Sequence, residues 1–186
     1  MNIIGVDAVG EGSLISSIVV CAVKAPENWR IDGLNDSKKL SDKKRRVMNE
    51  VLRQNNDIEF VIEQESNERI DELGLGVALK ICYDRAIKQL YDENTYVIID
   101  GGLNFDGFLK DIKYKTVIKA DSLYPTVMSA SILAKVFRDD LVIGLSKEFP
   151  KYSWEKCKGY LSSEHKEAIK KFGLTEHHRK SYKIKL

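Results

Sequence analysis

Apolar positions along this chain change period several times, and each change marks an element. Residues 2–7 (NIIGVD) form a nearly continuous apolar run closed by a carboxylate, which predicts a buried strand. A glycine-spaced turn, AVGEGSLISS, leads into a second β-branched run, Ser17–Val23, and the pair predicts a hairpin. Ile58, Phe60 and Ile62 alternate with other residues and predict a third strand. Tyr96–Asp100 (YVIID) and Thr116–Asp121 (TVIKAD) repeat the first design, a short apolar strand ending in aspartate.

Helical spacing fills the intervals. After a loop-like stretch from Asn28 to Leu40, Ser41 and Asp42 supply an N-cap and a first-turn acid. Val47, Met48, Val51 and Leu52 then share one face. Gly74 and Gly76 punctuate the next stretch, so a helix from about Leu75 to Tyr91 is expected rather than one long helix from Asn67. Pro125 fits an early-helix position, and the segment to about Lys147 reads as helix. Its small residues Ser129, Ala130, Ser131 and Ala134 suit close packing on a sheet. Ser162 and Ser163 can cap a last helix ending at Gly173. Strands interleaved with helices define an α/β domain.

Composition narrows the class. At 186 residues, 43% hydrophobic and 31% charged, the chain can build one core and is too apolar for disorder. No apolar run approaches the roughly 20 residues of a bilayer span, so no membrane partner is expected. The start, MNIIGVD, lacks a basic n-region and a cleavage site, which argues against secretion. Cys21, Cys82 and Cys157 are odd in number and widely spaced, fitting neither a disulfide framework nor a zinc site, and point to a reducing cytoplasm.

The net charge of +2 becomes informative when divided. Residues 151–186 hold ten Lys/Arg against four Asp/Glu, and all three histidines; the first 150 hold 20 against 24. A basic end on a mildly acidic body fits a polyanion-binding surface, and a solvated lysine-rich helix fits it as well. The division expected is a body of residues 1–150 and a basic helical appendage of residues 151–186.

Asp7, Asp100 and Asp121 each follow an apolar run, where a carboxylate is costly unless a cation neutralises it. Three such groups brought together would repel one another, and a divalent metal removes that penalty. Oxygen-only ligands select Mg²⁺ or Mn²⁺ over zinc. Gly10-Glu11-Gly12 can bring backbone groups against a ligand. No GxGxxG or Walker lysine pattern follows a strand.

These residues stand in a longer series: Gly5-Val6-Asp7, Gly10-x-Gly12, Leu34 to Leu40 (LNDSKKL), Ile99-Asp100-Gly101 and Lys119-Ala120-Asp121. The series continues with Ser129 to Val136 (SASILAKV), Arg138-Asp139, Lys158-Gly159-Tyr160, Glu164-His165 and His178 to Ser181 (HRKS). In this order they resemble ribonuclease HII, the type 2 ribonuclease H family, over essentially the whole chain.

The resemblance implies a ribonuclease H-like mixed sheet flanked by helices, with a small C-terminal helical part that helps grip substrate. It implies cleavage of the RNA strand of RNA–DNA hybrids, and nicking on the 5′ side of ribonucleotides embedded in duplex DNA, at a two-metal site using Mg²⁺ or Mn²⁺. By motif position Asp7, Asp100 and Asp121 look like three of four acidic ligands and so the catalytic residues. The backbone of Gly10, Glu11 and Gly12, with Tyr160, looks like the sensor of the 2′-hydroxyl, the group that separates RNA from DNA. Lys38 matches a position that can contact phosphate. The fourth acid is missing: where the family reads Asp-Glu-Ala-Gly-Arg-Gly-Pro, this chain reads Asp7-Ala8-Val9-Gly10-Glu11-Gly12-Ser13. Ala8 cannot ligate, which weakens one metal position and sets up an alternative, a degenerate or deliberately inactivated member that binds RNA–DNA junctions without cutting. Glu11 also reverses a charge commonly positive in the family.

Plainer readings accompany several residues. Lys38 and Lys39 can be ordinary loop lysines, and Asp139 a helix salt-bridge partner. His165, His177 and His178 are expected at the surface or on phosphate rather than on zinc. Trp29 and Trp154 are expected to be partly buried in the core. The chain is taken as a monomer acting on RNA–DNA hybrids and ribonucleotide-containing DNA.

Overall fold

A computed structural model describes residues 1–185 of the chain. Strands β1 (Asn2–Val9), β2 (Ile18–Pro26), β3 (Glu59–Glu65), β4 (Thr95–Asp100) and β5 (Tyr114–Val117) form one sheet in the order β3-β2-β1-β4-β5. The first three pair antiparallel, while β4 joins β1, and β5 joins β4, in parallel. The sheet is therefore mixed. The described residues also form six helices: α1 (Asp42–Arg53), α2 (Asn67–Leu73), α3 (Leu75–Leu90), α4 (Pro125–Glu148), α5 (Trp154–Cys157) and α6 (Ser163–Phe172).

Strand alternation sorts the apolar residues onto two faces. Ile4, Val6, Val20, Ala22, Val97 and Ile99 meet Ala78, Leu79, Cys82, Tyr83 and Ile87 of α3. On the other face Val19, Cys21 and Val23 meet Ala130, Leu133 and Ala134 of α4, with Met48 and Leu52 of α1 beside them. The small residues expected to permit close packing do so. At Gly5 the helix backbone itself comes close, since a Cβ there would lie 2.3 Å from the Val127 amide nitrogen. Truncating a fully buried anchor such as Leu52 to alanine should cost about 2–5 kcal/mol. No helix among the described residues is long and apolar enough to cross a membrane.

Several expectations need correction. Val47 and Val51 stay largely exposed (59% and 42%), because only Met48 and Leu52 of that set reach the sheet. The helix expected from about Leu75 is there as α3, and the preceding stretch adds a short helix of its own, α2, capped by the Ser66 hydroxyl and ended at Gly74 with a φ of 79°. The run Thr116–Asp121 is not one strand. Pairing stops at Val117, Lys119 takes a left-handed φ of 62°, and Asp121 falls in a 3₁₀ turn, Ala120–Ser122. Asp7 does not end its strand either, since Ala8 and Val9 continue the ladder with Val20 and Val19.

The histidines are the largest departure. His165 and His178 are fully buried rather than at the surface. Their packing against Tyr152 and the fully buried Trp154 explains why: each ring nitrogen has a partner. The Thr175 amide donates to His178 Nδ1 (2.9 Å) and Trp154 Nε1–H donates to His165 Nε2 (3.0 Å). Both acceptor nitrogens are thereby fixed. His178 Nε2–H then donates to His165 Nε2 (3.2 Å), and His165 Nδ1–H to the Tyr160 carbonyl (3.1 Å). This chain of bonds works only with both rings neutral. Residues around it reach back to the β1–β2 loop, where Ile15 bridges His178 and Leu14 and Ile15 join the apolar cluster of Tyr152, Trp154 and Ile169.

Burial, then the neighbouring His165 and His177, push His178 down to about 4. The unfolded chain takes up this proton near 6.5 and the folded chain refuses it until about 4, so the stability that neutral His178 contributes is lost as pH falls through that window. Urea midpoints at pH 7 and pH 5 should fall further for the wild type than for His178→Gln. Equal falls would show that His178 is not held neutral.

Candidate active site

The site lies where β1 and β4 separate. Their parallel ladder ends at Val6 opposite Ile99, so the next residues, Asp7 and Asp100, emerge side by side. Crevices of this kind, beyond the carboxyl ends of parallel strands, are common ligand sites in open α/β sheets. Asp121 reaches the same place by a different route. The Asp100 carboxylate accepts from the Ala120 amide (2.6 Å), pulling the chain out of the sheet into the turn that carries Asp121. One ligand oxygen from each of Asp7, Asp100 and Asp121 lies within 4.8 Å of the others.

Electrostatics make this gathering unfavourable by itself. Burial, and then repulsion from Asp100 and Asp121, raise Asp7 to about 7 against hydrogen bonds from Ser131 and the Ala8 amide. Asp100 is raised as well, by burial and then by Asp121. One cation answers: Lys38 Nζ lies 2.8 Å from Asp121 Oδ2, with most of its side chain in solvent. That hydrogen bond chiefly raises the Lys38 pKa. Asp36 shapes the lysine's loop, accepting from the Lys38 amide (2.9 Å) and from the Ser122 hydroxyl (3.1 Å). Among the described residues Lys38 is the one lysine bonded to any of the three carboxylates, with Lys135 and Arg45 elsewhere on the cavity wall, and the all-oxygen donor set suits a hard divalent cation.

Around the aspartates runs a cavity of about 470 Å³, lined also by Ala8, Gly10, Glu11, Gly12, Lys38 and Tyr160. The residues singled out from sequence thus share one cavity wall, with Asp121 joining through the aspartate cluster. Ala8 packs its methyl toward the α3-side core while bordering the cavity, and offers no donor atom. Glu11 sits at the rim, its carboxyl raised by desolvation and by Asp100. Its carbonyl accepts from Arg179 Nη1 (3.0 Å) and from the Tyr182 hydroxyl (2.7 Å). Tyr160, 36% exposed, lies under the Arg138 guanidinium, 5.6 Å from its ring centroid, and under Lys135 at 5.9 Å. Asp139 pairs with Lys135 (2.7 Å), the helix salt bridge expected of it.

Sequence reasoning gave no role to Arg138 or Arg179, both fully buried. A signal existed for Arg138: it continues the buried stripe Ala130–Ala134 of α4 at the next i+4 step, where an arginine must find partners inside. Arg179 stands in the His178–Ser181 motif, but no local periodicity marks it for burial.

A mixed sheet flanked by helices and bearing a carboxylate cluster where β1 and β4 separate defines a ribonuclease H-like fold, and the relatives agree. A family model described as Ribonuclease HII matches residues 4–185. The ribonuclease HII of Campylobacter jejuni subsp. doylei is 42% identical over 184 residues, 99% of this chain and 92% of that one. The ribonuclease HII of Parabacteroides distasonis is 38% identical over 180 residues, 97% of this chain and 89% of that one. Among solved structures, a chain of the PCNA:RNase HII complex from Archaeoglobus fulgidus matches with a TM-score of 0.84 at 25% identity, covering 100% of this chain and 97% of that one. The chain belongs to the ribonuclease HII family, metal-dependent nucleases that cleave RNA in RNA–DNA hybrids.

The Asp7 shift carries a prediction. The unfolded carboxyl ionises near 3.8 and the folded one near 7, so ionising Asp7 erodes stability as pH rises through that window, on the order of 4 kcal/mol at most. Asp7→Asn should therefore raise the melting temperature in EDTA, more at pH 8 than at pH 5. Added Mn²⁺ should stabilise the wild type and leave the variant unmoved. A variant less stable than wild type at pH 8 without metal would contradict this.

Proposed function

We propose that this chain is an endoribonuclease that cuts the RNA strand of RNA–DNA hybrids and nicks duplex DNA on the 5′ side of an embedded ribonucleotide. The observation that carries this reading is the convergence of Asp7, Asp100 and Asp121 in a cavity whose wall includes the Gly10–Gly12 turn and Tyr160. Two Mg²⁺ or Mn²⁺ ions held by those aspartates would activate a water and stabilise the leaving 3′-oxygen. Of the solved relatives, an RNase HIII is described in complex with Mn²⁺.

The chain's own groups divide the remaining work. Asp100 holds the turn of Asp121 through the Ala120 amide, which keeps two carboxylates in fixed relation. Lys38 occupies Asp121 and, once displaced, has the reach and charge to meet a phosphate. Gly12 leaves the backbone bare opposite the Tyr160 ring, where a ribose can be read at its 2′-hydroxyl. Residues 151–186, with their surplus of lysine, form the part that grips the duplex backbone. The protein acts as a monomer in the cytoplasm, and its free Cys21, Cys82 and Cys157 suit that compartment.

Ala8 favours a second reading, a protein that binds such junctions and does not cut them, because the cavity lacks a carboxylate at that strand position. A duplex with one ribonucleotide, incubated with Mg²⁺ or Mn²⁺, separates the two. Nicking 5′ of the ribonucleotide supports the enzyme; binding without nicking supports the second reading. Ala8→Glu should raise the nicking rate by orders of magnitude at saturating metal, since a restored acid strengthens transition-state charge stabilisation. Robust nicking by the alanine form, unchanged by the substitution, would mean that another group already fills the role. Failure of the glutamate form to cut would mean that the drift at Glu11 and Ser13 has disabled the turn as well. Affinity for the duplex should fall steeply with salt as neutralised phosphates release counterions; salt-independent binding would remove the basic C-terminal part from the interface.

A further inference from the structure

Among the described residues no carboxylate bonds the buried cation Arg138, its neighbour Asp139 being taken by Lys135. Its guanidinium bonds three backbone carbonyls, and those belong to two separate segments. Nε donates to Ser17 O (3.2 Å) and Nη2 to Ile15 O (3.2 Å), in the loop that follows the glycine turn. Nη1 donates to Lys158 O (3.0 Å), two residues before Tyr160. The same group lies against Gly10, whose φ is 97°, and a Cβ there would come within 2.1 Å of Nε. Its Cζ lies over the Tyr160 ring, 5.6 Å from the centroid.

The three carbonyls of residues 158–160 are each held by a different donor. Arg138 holds Lys158, the Leu14 amide holds Gly159 (2.9 Å), and His165 holds Tyr160 (3.1 Å). The opposite wall of the gap is Gly12, where an added Cβ would stand 3.8 Å from Tyr160 Cε1. Of these tethers, Arg138 alone touches Gly10, the loop after the turn, the 158–160 segment and the Tyr160 ring together.

We propose that Arg138 is a positioning residue that sets the separation between the Gly10–Gly12 turn and the Tyr160 ring, and thereby the preference for a ribose over a deoxyribose between them. The inference rests on the reading of that turn and ring as the sugar sensor. Arginine suits the task where lysine does not, because its rigid fork aims separate N–H groups at separate carbonyls. Burial lowers the Arg138 pKa only to about 10, so the group remains charged at neutral pH.

The test compares dissociation constants for two duplexes, one all-DNA and one with a single ribonucleotide, in EDTA at 10 °C. Wild type, Arg138→Lys and Arg138→Gln are each taken as the folded monomer fraction from gel filtration. The wild type should prefer the ribonucleotide duplex. Arg138→Lys should lose about tenfold of that preference, the worth of one well-placed hydrogen bond, with all-DNA affinity changed less than about twofold. A merely structural role would lower both affinities together, and that outcome overturns the proposal. Full preference retained in folded Arg138→Lys overturns it too, and if that variant does not fold the same comparison is read from Arg138→Gln. A wild type without any preference overturns the reading of the sugar sensor as well, which distinguishes the two failures.

Discussion

Three carboxylates held within 4.8 Å of one another at the end of a sheet repel, and the rest of the structure is arranged so that they cannot separate. Asp7 is fixed by strand pairing on its β2 side beyond the point where β4 has left. Asp100 is bound to the turn of Asp121 by the amide of Ala120. The aspartates answer their repulsion through elevated proton affinity and one lysine, both of which a bound cation would replace. The divalent ions we propose would neutralise that unfavourable charge.

A second arrangement, made of buried cations and neutral imidazoles, supports the cavity from behind. Arg138 and Arg179 send their N–H groups to carbonyls of the β1–β2 loop, and the His178–His165 pair ends on the carbonyl of Tyr160. Residues near the C-terminus thus hold the turn that follows β1, across most of the sequence. Burying an arginine is expensive unless its donors are met. Arg138 meets that condition, while Arg179 keeps one buried nitrogen, Nη2, without a partner. The basic C-terminal stretch is consequently more than a charged surface; its inner residues are part of the wall that shapes the cavity.

How much of this was legible in the sequence follows from what each element depends on. The hairpin of β1 and β2, the α4 helix with its small-residue face and the α6 helix between Ser162 and Gly173 rest on local periodicity and caps, and those signals are strong. The three aspartates were legible because a carboxylate after an apolar run is costly anywhere. Their mode of delivery was not. Asp121 arrives on a 3₁₀ turn created by a hydrogen bond to Asp100, twenty-one residues earlier, and no local pattern encodes that bond. The buried histidines failed for the same reason, since their partners Trp154, Thr175 and Tyr160 are identifiable only in three dimensions. Charge counting placed them with the lysines, and burial placed them in the core.

The central claim is that the Asp7–Asp100–Asp121 cluster exists to hold divalent cations. Crystals soaked in Mn²⁺, with anomalous scattering recorded at the manganese absorption edge, test it directly. The account predicts a strong anomalous peak bounded by all three carboxylates, with the Lys38 ammonium displaced from Asp121. At saturating Mn²⁺, no peak within the cluster and Lys38 still seated on Asp121 would contradict it.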